Sequence, residues 1–210
     1  MSARAALLLL AAASGTAQAQ ATEGAFYLGL RGGGSWTARD DGDYLRALNE
    51  RGHQVQIIAV DAADRGGTAY AGWRFHPNAS VELGYVLLGQ FDSAVYSPRS
   101  DLETLARDVA EQQPDSGDAV SLSMRWEVPL YRRLQLQMRF GGFWWWQDVD
   151  LQVNGASIDA DRDNIGFMVG GGLALPVYGG WWIGGGGDLY RTSSREPVRQ
   201  AYLQLEYRFD

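Results

Sequence analysis

The chain has 210 residues, carries a formal net charge of −7 and contains no cysteine. The acidic balance argues against nucleic acid as a partner, because phosphate binding depends on clustered basic side chains. The lack of cysteine excludes disulfides, thiol catalysis and thiolate metal sites. Aromatic residues make up 12% of the chain, yet apolar side chains fall on alternate positions rather than in continuous runs, which favours strands over buried helices.

The first 19 residues have the pattern of a secretory signal. Arg4 supplies a positive start, an apolar stretch centred on residues 7–10 follows, and Ala17-Gln18-Ala19 matches a cleavage site. The apolar stretch is too short to cross a bilayer as a helix, and no later run of about 18 apolar residues occurs. We therefore expect a signal peptide at residues 1–19 and a single domain at residues 20–210.

Eight segments alternate between apolar and polar residues, with the period of two that places successive side chains on opposite faces of a strand. They cover residues 26–35, 68–75, 80–91, 119–128, 133–147, 165–175, 181–190 and 198–209. Each segment is about as long as a tilted strand needs to cross the hydrocarbon of a membrane. The pattern predicts an all-β fold, an eight-stranded antiparallel up-and-down transmembrane β-barrel.

Short and long connections alternate between the predicted strands. Short turns follow the second, fourth and sixth strands, and longer connections follow the others. Outer-membrane barrels have short periplasmic turns and longer external loops. We therefore expect the outer membrane of a Gram-negative bacterium as the location, with both termini in the periplasm.

The external loops carry signals of local structure. In the first loop, Asp43 is suited to cap a short helix that ends at Gly52, and residues 55–60 favour a strand. The second loop begins with a capping box at residues 100–103, and Asn154-Gly155 in the third loop favours a type I′ hairpin turn. We therefore expect helical segments and a hairpin above the mouth of the barrel.

The second and third loops are also rich in aspartate and glutamate. Residues 159–163 begin like an EF-hand loop, but Asn164 stands where that loop requires glycine, so the match fails. A solvated acidic surface is expected, with no metal site and no cofactor. Weak sharing of Mg²⁺ or Ca²⁺ with lipopolysaccharide phosphates is the alternative hypothesis.

Charged residues on the other face of the strands would share the interior of the barrel. Eight strands enclose a space just wide enough for side chains to fill, and an unpaired buried charge is costly. The sequence therefore predicts a lumenal polar network, with a narrow gated pore as the alternative. Its members are Arg31, Arg74, Glu82, Arg125, Glu127, Arg139, Glu206 and Arg208. Inward glycines are expected to make room for Arg139, Phe143 and Trp145; they are Gly170, Gly172, Gly184 and Gly186.

Aromatic residues gather at the ends of the predicted strands. Amphipathic rings prefer the headgroup level of a membrane, whereas a soluble sandwich would bury them at the centres of its strands. The two predicted belts contain Trp36, Trp73, Trp126, Trp144, Trp146, Trp181, Tyr207 and Phe209, together with Phe75, Phe91, Tyr131 and Tyr190. These belts favour a membrane barrel.

The mature chain resembles the eight-stranded outer-membrane barrels of the OmpA transmembrane-domain and OmpX type. The resemblance rests on strand count, loop alternation and the ending from Ala201 to Phe209. That ending resembles the C-terminal signal read by the barrel-assembly machinery, which is implied as a partner beside outer-membrane lipids. We expect a non-enzymatic barrel that displays structured acidic loops for envelope integrity, adhesion or lipopolysaccharide contact. Host or cell-surface ligands are an open alternative as further partners.

Two other functions are compatible with the residues. One is a narrow channel for small or hydrophobic solutes, resembling OmpW, with a lateral opening near the sixth and seventh strands. The other is a lipid A acyltransferase, because His53 and the pair Asp92-Ser93 are similar to residues of the lipid A palmitoyltransferase family. That resemblance implies Ser93 as a nucleophile or positioning hydroxyl. No other catalytic residue is expected.

Overall fold

The computed structural model describes residues 24–37, 42, 46, 49–51, 56–60, 63–89, 93–96, 117–153, 156–191 and 197–209. Ten strands account for most of them: β1 (Phe26–Trp36), β2 (Gln56–Val60), β3 (Ala63–His76), β4 (Ala79–Gly89), β5 (Ser93–Tyr96), β6 (Gly117–Tyr131), β7 (Leu134–Val153), β8 (Ala156–Tyr178), β9 (Trp181–Arg191) and β10 (Val198–Arg208). Within this part of the chain, no helix is long and apolar enough to cross a membrane.

Eight of these strands close into an antiparallel barrel, which confirms the predicted fold. Its members are β1, β3, β4, β6, β7, β8, β9 and β10. The first and last strands pair from Tyr27 opposite Arg208 to Trp36 opposite Arg199, so the sheet has no free edge around the barrel. Closure satisfies the backbone groups that lipid cannot satisfy.

The two ends of the barrel differ. Short turns join β3 to β4, β6 to β7 and β8 to β9 at the end that we call the turn end. At the opposite end, the loop end, β7 and β8 are much longer than predicted and pair without interruption up to Val153 opposite Ala156. That pairing leaves two residues between the strands, which is the spacing of the predicted hairpin turn.

Two short strands extend the sheet at the loop end. β2 pairs antiparallel with β5, and Ala94 and Val95 of β5 pair in parallel with Gln152 and Val153 at the tip of β7. β2 was predicted, whereas β5 was not, because its four residues are too few to show alternation.

In the first loop, Gly42 and Arg46 are helical. The capping residues Asp43 and Gly52, and the predicted helix of the second loop, lie outside the described residues.

Polar side chains fill the inside of the barrel, and apolar side chains cover the outside. On β10, Leu203 is 78% exposed, whereas Glu206 on the opposite face is fully buried. This arrangement inverts that of a soluble protein and suits a wall in contact with hydrocarbon. Rings that point outward near the strand ends include Trp36, Trp73, Trp126, Trp144, Trp146, Trp181, Tyr207 and Phe209, together with Phe75 and Tyr131.

One residue assigned to the belts was placed on the wrong face. Tyr190 is only 1% exposed and lies inside the barrel, where its ring packs against Phe143 at a centroid distance of 5.4 Å. Glycines dominate β9 and hide its alternation, but Tyr190 shares the inward parity of Trp182. Phe91 lies outside the described residues.

A reciprocal contact between glycine and tyrosine shapes the narrow interior. Tyr27 pairs with Gly72 across β1 and β3, and Gly29 pairs with Tyr70 two positions away. Each tyrosine ring lies against its partner glycine, so a Cβ atom on either glycine would overlap a ring. The two rings meet edge to face at 6.2 Å. Glycine is therefore required here for close approach rather than for backbone freedom.

We expect Gly72→Ala to destabilise the barrel by about 1–3 kcal/mol, because overpacking must displace the buried Tyr27 ring. Gly32→Ala on the adjacent strand is a matched control, since nothing lies within 4 Å of its added Cβ. Urea unfolding of the protein refolded in micelles, followed by tryptophan fluorescence, measures both variants. Equal stability of the two variants would contradict this steric account.

Candidate functional site

Arg125 lies at the centre of the charged network inside the barrel. Its guanidinium is fully buried and reaches carboxylates from three directions. Nη1 lies 2.8 Å from Glu82 and 2.6 Å from Glu206, and Nη2 lies 2.9 Å from Glu127. A buried guanidinium can satisfy several carboxylates at once because its donors have a fixed planar geometry.

The network continues towards the turn end through Glu127. That carboxylate also accepts a hydrogen bond from Arg74 at 2.6 Å and another from Arg208 at 2.7 Å. Arg208 contacts Glu206 at 2.6 Å as well, and its guanidinium carbon lies 3.7 Å from the centre of the Trp182 ring. This stacking adds a cation–π contact to the ion pairs.

Tyrosines complete the network on the β1 and β3 side. Arg31 contacts Glu82 at 2.8 Å and stacks on Tyr70, with its guanidinium carbon 3.8 Å from the ring centre. The hydroxyl of Tyr70 donates to Glu206 at 2.8 Å. Arg125 stacks in the same way on Tyr27, at 4.0 Å. Each carboxylate thus accepts hydrogen bonds as well as sharing charge, which offsets the cost of burial.

A separate pair lies on the β7 and β9 side of the lumen. Arg139 contacts Asp188 at 2.7 Å and also donates to the hydroxyl of Tyr202. Inward glycines surround this pair. Cβ atoms on Gly170 and on Gly186 would overlap Asp188 and Tyr202, respectively. The space that these glycines leave is therefore taken by Asp188 and Tyr202, a correction to the expectation that side chains of β7 use it.

Apolar side chains fill the lumen towards the loop end. The cluster consists of Val86, Leu88, Ala119, Phe143, Trp145, Met168, Tyr190 and Val198. None of them is more than 3% exposed. Protein interiors pack at the density of organic crystals. The cluster therefore blocks the described lumen between the charged network and the loop end.

The structure places all eight charged residues of the predicted lumenal set inside the barrel. Seven of them join the network around Arg125, whereas Arg139 pairs apart from it with Asp188. Sequence reasoning missed Asp188, Tyr27, Tyr70 and Tyr202. The three tyrosines share the parity of the charged residues on their strands, so a search for inward polar tips would have found them. Asp188 follows a run of glycines, and such a run shows no alternation of apolar and polar residues from which its inward position could be predicted.

The residues of the acyltransferase hypothesis are not brought together in the described structure. His53 and Asp92 lie outside the described residues, and Ser93 begins β5, where its backbone pairs with Val60. The other histidine, His76, lies next to the β3–β4 turn, where Nδ1 accepts a hydrogen bond from the backbone N–H of Asn78 at 3.2 Å. Among the described residues, no group of three or more histidines and carboxylates is placed to hold a metal ion.

We expect Arg125→Met to destabilise the barrel by about 3–5 kcal/mol, because it leaves buried carboxylates without their shared cation. Adding Glu206→Gln should restore part of the loss, since one uncompensated charge is removed. Arg65→Met, at an exposed position of β3, is the control and should change stability by about 0.5 kcal/mol or less. Urea unfolding measures all three, and equal losses for Arg125→Met and Arg65→Met would refute a central role for Arg125.

Comparisons with known proteins agree with this architecture. The family model for the outer membrane protein beta-barrel domain matches residues 5–209. The chain is similar to Neisserial surface protein A, with a TM-score of 0.53 and 11% identity over 89% of this chain and 100% of that chain. It is also similar to the N-terminal beta-barrel domain of OprF from Pseudomonas aeruginosa, with a TM-score of 0.51 and 11% identity over 89% of this chain and 98% of that chain.

At these identities, the solved structures show a shared fold and nothing finer. No curated protein matches the chain. The family match covers almost the whole sequence, and the closed barrel with its polar interior agrees with it. The resemblance to eight-stranded outer-membrane barrels is therefore confirmed, and the chain belongs to the outer membrane protein beta-barrel domain family.

Proposed function

We propose that this protein is a non-enzymatic display barrel, which presents an acidic outer surface to lipopolysaccharide, neighbouring cells or host ligands. In this proposal the loop end faces outward, and both termini lie in the periplasm. The observation that carries the proposal is the continuation of β7 and β8 beyond the barrel wall as a two-stranded ribbon.

The ribbon begins where the neighbouring strands stop. β6 pairs with β7 as far as Trp146, and β9 pairs with β8 only from Phe167. Beyond Trp146 and its partner Asp163, residues 147–153 and 156–162 extend past the barrel wall, and the tip of β7 is joined by β5 and β2. Seven residues of strand correspond to about 20 Å. A projection of this length supports contact with molecules beyond the membrane surface.

The sequence and register of the ribbon bring four aspartates together. Asp148 stands opposite Asp161, and Asp150 stands opposite Asp159, two positions further along the ribbon. Like charges directly opposite each other destabilise a strand pair. A basic ligand, or cations shared with lipopolysaccharide phosphates, would relieve this repulsion, which supports the display proposal.

The filled interior supports a role for the barrel as a rigid anchor for the ribbon rather than as a channel. The charged network and the apolar cluster both lie across the described lumen. β8 and β9, beside which a lateral opening was considered, pair from Phe167 opposite Arg191 to Tyr178 opposite Trp181. A rigid, filled barrel holds the ribbon in a fixed orientation, which lowers the entropy cost of binding a ligand.

We expect a ribbon truncation to separate display from folding. Replacing residues 149–160 by Asn-Gly joins Asp148 to Asp161 through a two-residue turn in the native register. The truncated barrel should insert normally, but cells that produce it should bind less to polylysine-coated surfaces and to cultured animal cells. A second variant, Asp148→Asn/Asp150→Asn/Asp159→Asn, keeps the ribbon and should lose mainly the polylysine binding. Undiminished binding by both variants would refute the proposal.

We expect the intact protein to give no conductance steps in planar bilayers, because packed side chains cross its lumen. A larger open porin prepared in the same detergent is the control for insertion. Regular steps that depend on this protein would favour the channel hypothesis instead.

Mass spectrometry of lipid A from cells with and without the protein tests the enzymatic hypothesis, and a changed acyl pattern would contradict a non-enzymatic role.

A further inference from the structure

We propose that a site on the outer wall of the barrel binds one phosphorylated lipid of the outer leaflet, the lipid A part of lipopolysaccharide. The site has a basic head near the loop end, formed by Arg65, Arg191 and Arg199. An apolar furrow continues from the head along β3 towards the turn end. The proposal rests on the proposed function only for the outward orientation of the loop end, and it does not involve the β7–β8 ribbon.

The strand register brings the three arginines of the head together around Trp36. Arg199 of β10 stands directly opposite Trp36 of β1. On the other side of Trp36, Arg65 of β3 is its diagonal neighbour. Arg191 of β9 is the diagonal neighbour of Arg199. Diagonal neighbours in a sheet lie about 7–8 Å apart, which is within reach of long side chains.

The arginines of the head face outward and are exposed. On their strands, Arg191 and Arg199 follow the buried inward residues Tyr190 and Val198, and Arg65 shares the parity of the exposed Ala69. All three therefore point away from the lumen, towards the lipid and its headgroups.

The charge of the head requires an anion. Among the described residues, no carboxylate forms a salt bridge with Arg65, Arg191 or Arg199, whereas every arginine of the lumen is paired with a carboxylate. Asp64, the sequence neighbour of Arg65, has the opposite parity and stands opposite Ser35. Guanidinium groups bind phosphate oxygens through paired N–H donors. A phosphate group therefore matches the head in charge and in hydrogen bonding.

Small residues of β3 form the floor of the furrow. Ala69 and Ala71 follow Arg65 on the same face of the strand. Their direct neighbours on β1 and β4 are larger and form the two walls: Leu28 and Leu30 on one side, Leu83 and Tyr85 on the other. The resulting cavity in the outer wall has a volume of about 790 Å³ and a lining that is almost wholly apolar. Such a cavity fits the hydrocarbon part of a lipid.

Glycines leave the surface between the head and the furrow open. Gly34 stands opposite Arg65, and Gly32 stands opposite Gly67. Nothing lies within 4 Å of a Cβ atom added to Gly32 or Gly34. The six residues from Arg65 to Ala71 correspond to about 20 Å of strand, comparable with one leaflet of the hydrocarbon core, which is about 15 Å thick. One lipid can therefore contact the arginines and the furrow at the same time.

The height of the head selects lipid A among phosphorylated ligands. Trp36 belongs to an aromatic belt, so the arginines around it lie at the headgroup level. With the loop end outward, the lipid of that leaflet carries phosphates on an acylated sugar. Three arginines suit a headgroup with more than one phosphate, and the furrow suits an acyl chain. A free phosphate ion would contact the head alone and leave the furrow uncovered.

Competitive lipid retention tests the proposal. The full chain is refolded in maltoside micelles with a metal chelator, so that metal ions cannot bridge phosphates to the aspartates of the ribbon. Equal amounts of lipid A and of dephosphorylated lipid A with the same acyl chains are added, and native mass spectrometry counts the lipids retained. The wild-type protein should prefer the phosphorylated form by about tenfold, because each basic residue strengthens binding at an anionic membrane surface. Excess inorganic phosphate should not displace the lipid.

Variants of the head locate the phosphate contact. Arg65→Gln/Arg191→Gln/Arg199→Gln should bring the retention ratio close to one. Arg132→Gln/Arg133→Gln, at the turn between β6 and β7, is the control and should leave the ratio unchanged. Equal retention of both forms by the wild-type protein would overturn the proposal, and so would a preference that survives the triple substitution.

A variant of the furrow tests the acyl contact. Ala71→Leu fills the floor and should reduce the retention of both forms of lipid A, whereas Val169→Leu, at an exposed position of β8, should not. Unchanged retention by Ala71→Leu would refute the furrow as part of the site.

Two competitors distinguish lipid A from other sources of phosphate. Displacement of lipid A by an equal amount of phosphatidylglycerol would assign the site to a glycerophospholipid, and displacement by inorganic phosphate would assign it to the free ion. Either result would refute the lipid A assignment. Micelles have no inner and outer leaflet, so these outcomes are independent of the polylysine-binding test of the display function.

Discussion

Charge balance within a closed space is the constraint on which this barrel depends. Eight strands leave room for side chains but not for bulk water, so each buried charge must be compensated by the protein. Five arginines and four carboxylates are buried in the described lumen. Arg125 links three of these carboxylates, and the rings of three tyrosines and one tryptophan lie near the guanidinium groups. The interior thus acts as a polar core that fixes the shape of the wall.

The outer wall depends on the same separation of polar and apolar faces. Because the polar residues point inward, the outward positions can all serve the membrane, with aliphatic side chains in the middle and aromatic rings towards the ends. Carboxylates interrupt this scheme at Asp118 and Asp163, beside the rings near the loop end. Above that level the register of the β7–β8 ribbon pairs Asp148 with Asp161 and Asp150 with Asp159.

The alternation of apolar and polar residues was sufficient to predict the barrel and most of the residues in its interior. Period-two patterns placed eight strands within a few residues of their observed bounds, except where β7 and β8 continue into the ribbon. That stretch is rich in aspartate, which disfavours strands, and only the turn signal at Asn154-Gly155 indicated the hairpin. Tyr190 and Asp188 were misplaced or missed because glycines on β9 remove the contrast between faces. The pairing of each arginine with its carboxylate depends on the diameter of the barrel and the stagger of its strands. A single sequence does not reveal either quantity.

The lumenal contacts join strands that lie far apart in the chain. Arg31 hydrogen-bonds to Gln204 across 173 positions, Tyr70 to Glu206 across 136, and Arg125 to Glu206 across 81. These partners meet only when the first and last strands have come together. An open sheet would therefore lack the ion pairs that Glu206 and Arg208 of β10 form with Arg125 and Glu127 of β6. Closing the cylinder should accordingly complete the neutralisation of its interior, which makes the last step of assembly cooperative with the packing of the charged network.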